Sequence, residues 1–153
     1  MNRFHIHPIF LLFTLLMLGT TALSAQDKMM SYTHNPGDDT LEWGNCPEFM
    51  PDSCSIAVLH GNPANPDADV FFKMEGKTSV PNHWHHSAER MVLVSGEMEV
   101  QYEGQQAEVF SAGSYAYGPP EKPHRASCLS EEPCILFIAF NKPVDAYQVE
   151  DSY

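Results

Sequence analysis

The chain has 153 residues and carries 20 acidic against 8 basic side chains, a formal net charge of −12. A surface so acidic repels phosphate backbones, which excludes nucleic acid as a partner. The length suits one domain able to bury a real core, preceded by a segment of different texture.

That segment is the N-terminus. Residues 1–8 are short and polar, with Arg3 as their one fixed positive charge, and residues 9–18 are almost unbroken apolar sequence. Small residues follow, ending Ala22-Leu23-Ser24-Ala25. The order of charge, short apolar run and small-residue exit is that of a secretory signal peptide over residues 1–25. The competing reading, a membrane anchor, needs a longer run, since spanning takes about 20 residues. The expectation is a secreted or periplasmic protein with no stable membrane insertion after processing. Removing Arg3 from the 8 basic residues leaves 7 against 20, or −13, for residues 26–153.

Cys46, Cys54, Cys128 and Cys134 all lie beyond that segment. Export exposes them to oxidising conditions, and four cysteines allow three pairings. Local pairing, Cys46 with Cys54 and Cys128 with Cys134, closes two short loops and is the expected arrangement. No Cys-x-x-Cys spacing supports a thiolate metal site, and free structural thiols are the alternative.

Residues 26–54 are rich in Gly, Asp, Asn and Pro and read as an irregular N-terminal arm, with Trp43 an apolar anchor and Cys46 a pin. From residue 55 to 142 the texture changes to short apolar runs. They fall at 56–60, 70–74, 89–94, 97–102, 108–110, 115–117 and 134–140, with Gly96, Gly104, Gly113 and Gly118 among the residues that punctuate them. Short runs at near-regular spacing, without a helical stripe, indicate an all-β sandwich or barrel. Residues 98–102, Met-Glu-Val-Gln-Tyr, alternate as a half-buried strand should. Residues 143–153 form an acidic tail, read as peripheral. Barrel edges and exposed apolar strands would allow a homodimer.

The chemistry concentrates in residues 76–96, GKTSVPNHWHHSAERMVLVSG. His83, His85 and Glu89 share odd parity, so on an extended strand they face one side. His124, after Pro123, is a fourth candidate from a neighbouring strand. Three imidazoles and one carboxylate suit a first-row divalent ion and leave two positions of an octahedral shell open. Trp84, His86 and Arg90 have the opposite parity and are expected to face away. His34 and His60 read as ordinary surface or core residues. Tyr102, Tyr115 and Tyr117 lie near the site in sequence; aromatic packing is the simpler reading for them. No catalytic acid or base is assigned.

These residues resemble the cupin superfamily. Residues 76–96 are similar to its first motif, Gly-x5-His-x-His-x3/4-Glu-x6-Gly. The gap from Gly76 to His83 is six residues rather than five, and the rest matches. Residues 113–128 are similar to the second motif, Gly-x5-Pro-x-Gly-x2-His-x3-Asn, through Gly113, Pro119 and His124. Glu121 stands in place of the motif's Gly and Cys128 in place of its Asn. The resemblance implies a small single-domain cupin barrel, a double-stranded β-helix or jelly roll, with a metal in its mouth. It implies one divalent ion per chain, Fe, Mn, Zn or Ni, held by His83, His85, Glu89 and His124. It does not imply one reaction, because function lives in the site. A metal-dependent dioxygenase, lyase or isomerase acting on a small organic molecule is the leading expectation. A non-catalytic metal or small-ligand binding module is the alternative.

Overall fold

Residues 30–150 are described by the computed structural model; the expected signal segment, residues 1–25, lies outside the described residues. The chain divides into two compact units, Met1–Thr33 and His34–Tyr153. Of the first, residues 30–33 are described and carry no regular structure. The second holds eleven described strands: β1 Trp43–Asn45, β2 Ser55–His60, β3 Ala68–Met74, β4 Ser79–Trp84, β5 Glu89–Ser95, β6 Glu97–Tyr102, β7 Glu108–Ser111, β8 Tyr115–Gly118, β9 His124–Cys128, β10 Cys134–Phe140 and β11 Tyr147–Gln148. Among the described residues no helix forms. The unit is all-β, as the short apolar runs require.

The strands form two sheets, one in the order β1-β2-β3-β10-β5-β8 and one in the order β11-β4-β9-β6-β7. Every pairing is antiparallel. β10, Cys-Ile-Leu-Phe-Ile-Ala-Phe, lies between β3 and β5. Its buried positions Cys134, Leu136, Ile138 and Phe140 alternate with half-buried ones, so a continuous apolar run suits a central strand better than strict alternation would. The core gathers Val70, Met74, Met91, Leu93, Met98, Leu136 and Ile138 from both sheets. Gly96 joins β5 to β6 at φ 85°, and a Cβ there would lie 2.8 Å from both Cys134 Sγ and Ser130 Oγ. Only glycine fits both the dihedral and the space.

The N-terminal arm is irregular, as expected, yet anchored. Trp43 pairs with Ala57 across β1 and β2, and Lys73 Nζ sits 4.4 Å from the centre of its ring. Met50 and Cys54 enter the core. The cysteines lie in the two expected pairs, Cys46 with Cys54 and Cys128 with Cys134, each with Cα atoms 5.7 Å apart.

The segment after Pro143 differs from its reading as peripheral. It adds β11 to the edge of β4, with Tyr147 opposite Trp84 and Gln148 opposite His83. Val144 N donates to Pro63 O at 2.8 Å and Val149 N to Asn82 O at 2.9 Å. Tyr147 also stacks on Trp84 with ring centroids 4.7 Å apart. Backbone pairing, aromatic contacts and the packing of Val144 and Ala146 against the core hold this stretch, and none leaves a periodic signal in its sequence.

Candidate metal centre

His83 lies on β4, Glu89 opens β5 and His124 opens β9. His85 lies in the connection between β4 and β5. The expected single strand through 83–89 is therefore two strands of different sheets. Burial nonetheless alternates without a break: His83, His85, Ser87, Glu89 and Met91 are buried, and the residues between them are half-buried or exposed. The chain bends at His86 and Ser87 as it crosses from one sheet to the other, yet alternate side chains stay buried, so parity survives where strand pairing does not. His83 and His124 are direct cross-strand partners, and Tyr102 of β6 is the partner of His124 on its other side.

All four candidate side chains are buried, each 5–7% exposed. The ligand atoms offered by His83, His85 and His124 lie within 4.8 Å of one another. Glu89 Oε1 is 3.5 Å from His85 Nε2, and Glu89 Oε2 is 3.6 Å from His124 Nε2. Each imidazole uses its other nitrogen on the backbone. His83 Nδ1 meets Pro81 O at 2.8 Å, His124 Nδ1 meets Lys122 O at 3.1 Å, and His85 Nδ1 meets Asp145 O. A carbonyl only accepts, so each Nδ1 carries the proton and each Nε2 is left with a lone pair.

Burial, then the neighbouring His124 and His85 rings, push His83 down to about 3. Burial also lowers His124, against the pull of the Glu89 carboxylate. Both rings are neutral at ordinary pH, which is the form that binds a metal. His85 Nε2 is buried with no hydrogen-bond partner, and such an atom costs free energy unless something meets it. Three buried imidazoles that offer nitrogens within 4.8 Å of one another are a donor set that suits a divalent first-row ion.

The Asp145 carboxylate, which no motif marked, accepts from His86 N at 3.0 Å and meets His86 Nδ1 at 2.6 Å. Ser87 Oγ, 1% exposed, accepts from Asn141 N at 3.0 Å and Lys142 N at 3.2 Å. These bonds dock the C-terminal segment against the His85 connection and so place the Asp145 carbonyl. Their partners are more than fifty residues apart, and nothing local in the sequence could reveal them. His86 and Arg90 are exposed, as parity predicts. Tyr115 and Tyr117 point outward at 64% and 54% exposure, so neither reaches the site nor packs inside.

Tyr102 alone of the three tyrosines points in. Its ring stacks on His124 at 4.6 Å, and its buried hydroxyl has no hydrogen-bond partner. Burial and the Glu89 charge raise its pKa, so the phenol keeps its proton. Gly118 of β8 is paired with Glu89, and its bare face abuts Tyr102 Oη and Glu89 Oε2. Glu121, where the second motif has Gly, takes φ 60° and donates its N–H to His85 O at 2.7 Å. The turn is kept despite the side chain.

The cluster forms the polar end of a cavity of about 170 Å³. The other walls are almost wholly apolar, among them Val80, Met91, Met98, Leu136, Ile138 and Phe140.

The family model described as the ChrR cupin-like domain matches residues 37–144. The chain belongs to this family. Solved structures give the same fold for this cupin. The polyketide cyclase RemF from Streptomyces resistomycificus is 19% identical with a TM-score of 0.65, over 81% of this chain and 88% of that one. The DMSP lyase DddQ from Ruegeria pomeroyi is 17% identical with a TM-score of 0.62, over 71% of this chain and 60% of that one. An oxalate decarboxylase from Lactobacillus farciminis is 17% identical with a TM-score of 0.58, over 71% of this chain and 33% of that one. The cupin thus spans 60% of the lyase and 33% of the decarboxylase. No curated protein sequence matches it.

Proposed function

We propose that this cupin is an exported, mononuclear metal-dependent enzyme acting on a small organic molecule. One divalent ion, Fe, Mn, Zn or Ni, is held by His83, His85, Glu89 and His124. The observation that carries this reading is the common orientation of the imidazoles: backbone carbonyls take the Nδ1 protons, the three rings offer ligand atoms within 4.8 Å of one another, and His85 Nε2 and His124 Nε2 face the Glu89 carboxylate beside a cavity. When bound, the ion supplies Lewis-acid polarisation of a substrate oxygen, or redox chemistry if it is iron. The buried Glu89 carboxylate would offset the ion's charge. Tyr102 offers a protonated phenol beside it, able to donate a hydrogen bond to substrate. The apolar walls select for a matching apolar body. The cyclase, the lyase and the decarboxylase among the structural neighbours support small-molecule chemistry on this fold. Export is supported by the apolar run at 9–18 with its small-residue exit and by the two cysteine pairs. Mass spectrometry of exported protein should find an N-terminus near Gln26, whereas a product retaining Met1 would reject processing.

One observation favours the non-catalytic alternative: beyond the proposed ligands, Tyr102 is the one titratable side chain whose own atoms line the cavity without a described partner. Two measurements separate the readings. Glu89→Gln keeps the shape but removes the charge, and should weaken metal binding by at least about tenfold. Manganese-loaded protein should enhance water-proton relaxation, because a catalytic ion keeps an exchangeable position. Unchanged affinity in Glu89→Gln would remove the carboxylate from the ligand set. A metal centre with no exchangeable water would favour a closed binding site over an enzyme.

A further inference from the structure

The cavity carries information about its occupant. It measures about 170 Å³, and an apolar cavity of about 150 Å³ is large enough for benzene. Its walls offer no cationic side chain and no second carboxylate free to face inward. Asp145 also lines the cavity, but its carboxylate is committed to His86. At the polar end, Tyr102 Oη is buried without a partner. A ligand that puts an oxygen there gives this hydroxyl the acceptor it lacks, and a buried donor left unmade costs more than the bond itself yields.

We propose that the site takes a small amphiphile with one oxygen-bearing head and an apolar body, about six to eight non-hydrogen atoms in all. The head meets Tyr102 Oη and the imidazole cluster, and the body lies among Val80, Met91, Met98, Leu136 and Ile138. Dianions, sugars and zwitterions are disfavoured because their second polar group would lie against these walls unpaired. The proposal rests on the metal reading for the head but on the cavity alone for the body.

The test is calorimetric titration of the zinc-loaded protein with acetate, hexanoate, decanoate and adipate, after metal content has been measured. Each buried methylene favours binding, so hexanoate should bind at least about tenfold more tightly than acetate. Decanoate should gain nothing over hexanoate, because the space is full. Adipate should bind more weakly than hexanoate, because its second carboxylate would lie among the apolar walls. Tyr102→Phe should weaken hexanoate about fivefold or more with metal content unchanged. Ala126→Leu places added carbons in the cavity from β9 and should weaken hexanoate at least about tenfold while sparing acetate. Val100→Phe does the same from β6 if the first variant does not fold. Affinity that is flat from acetate to hexanoate, or that climbs through decanoate, overturns the proposal; so does adipate as the tightest probe. Hexanoate binding unchanged in a folded cavity-filling variant also overturns it. Loss of metal binding in the wild type instead defeats the metal reading. The body is then tested with toluene, which should bind the metal-free wild type more weakly once Ala126→Leu fills the space; equal binding overturns the cavity assignment.

Discussion

His83 is 5% exposed, and its imidazole is held down to about 3, first by burial and then by the neighbouring His124 and His85 rings. In the unfolded chain the same ring titrates near 6.5. Between those values the unfolded state binds a proton that the folded state refuses, so stability rises with pH. The contribution is fully present above about pH 6.5 and is lost progressively as the pH falls towards 3. Near pH 5 the difference is close to one proton, worth about 1.4 kcal/mol per pH unit. His124, also lowered by burial, adds in the same direction. The perturbation is His83→Leu, which keeps an apolar side chain in the site and removes the titration. Urea unfolding of chelator-treated protein between about pH 5 and 6 isolates the effect, since most carboxylates are ionised there and no metal competes with protons. The variant's stability should vary with pH less steeply than the wild type's, by about 1.4 kcal/mol per unit. Equal slopes, with equal urea dependence, would show that His83 is not held neutral by burial.

Gly118→Ala would place a methyl group 2.9 Å from Glu89 Oε2 and still nearer Tyr102 Oη. It should lower metal affinity about tenfold while circular dichroism stays unchanged; unchanged affinity would mean that the carboxylate can move freely. Replacing Cys128 and Cys134 together by Ala opens a short loop and should cost about 2–3 kcal/mol by urea unfolding. Peptide mapping without reductant should recover Cys46–Cys54 and Cys128–Cys134, and freely alkylated thiols would contradict both pairs.

Local chemistry made much of this molecule legible. The short β runs and their glycines mark an all-β unit, and the odd parity of His83, His85 and Glu89 places three side chains on one face even though the strand breaks between them. The match of residues 113–124 to a second motif supplies His124, which pairing with β4 then brings opposite His83. What the sequence does not display is set by distance along the chain. The Asp145 carbonyl reaches His85 across sixty positions, and Ser87 binds Asn141 and Lys142 across more than fifty. An acidic tail with no periodicity looks peripheral until its backbone pairs with β4. Tyr102, Tyr115 and Tyr117 have equal claims by composition. Strand alternation in β6 turns Tyr102 inward, while Tyr115 and Tyr117 lie on the outer face of β8.

Metal content is the most direct test of the centre. Folded wild type, His83→Ala, His124→Ala and His86→Ala should be purified without an affinity tag and analysed for divalent metals by elemental mass spectrometry. His86→Ala is the neighbouring control. It removes an exposed ring and that ring's contact with Asp145 Oδ2 at 2.6 Å, yet keeps the backbone N–H that binds Asp145 Oδ1 at 3.0 Å. Wild type and His86→Ala should each carry about one ion per chain, and His83→Ala and His124→Ala should carry far less, because each loses one of a small set of ligands. Equal metal retention by the wild type, His83→Ala and His124→Ala would contradict the proposed coordination shell.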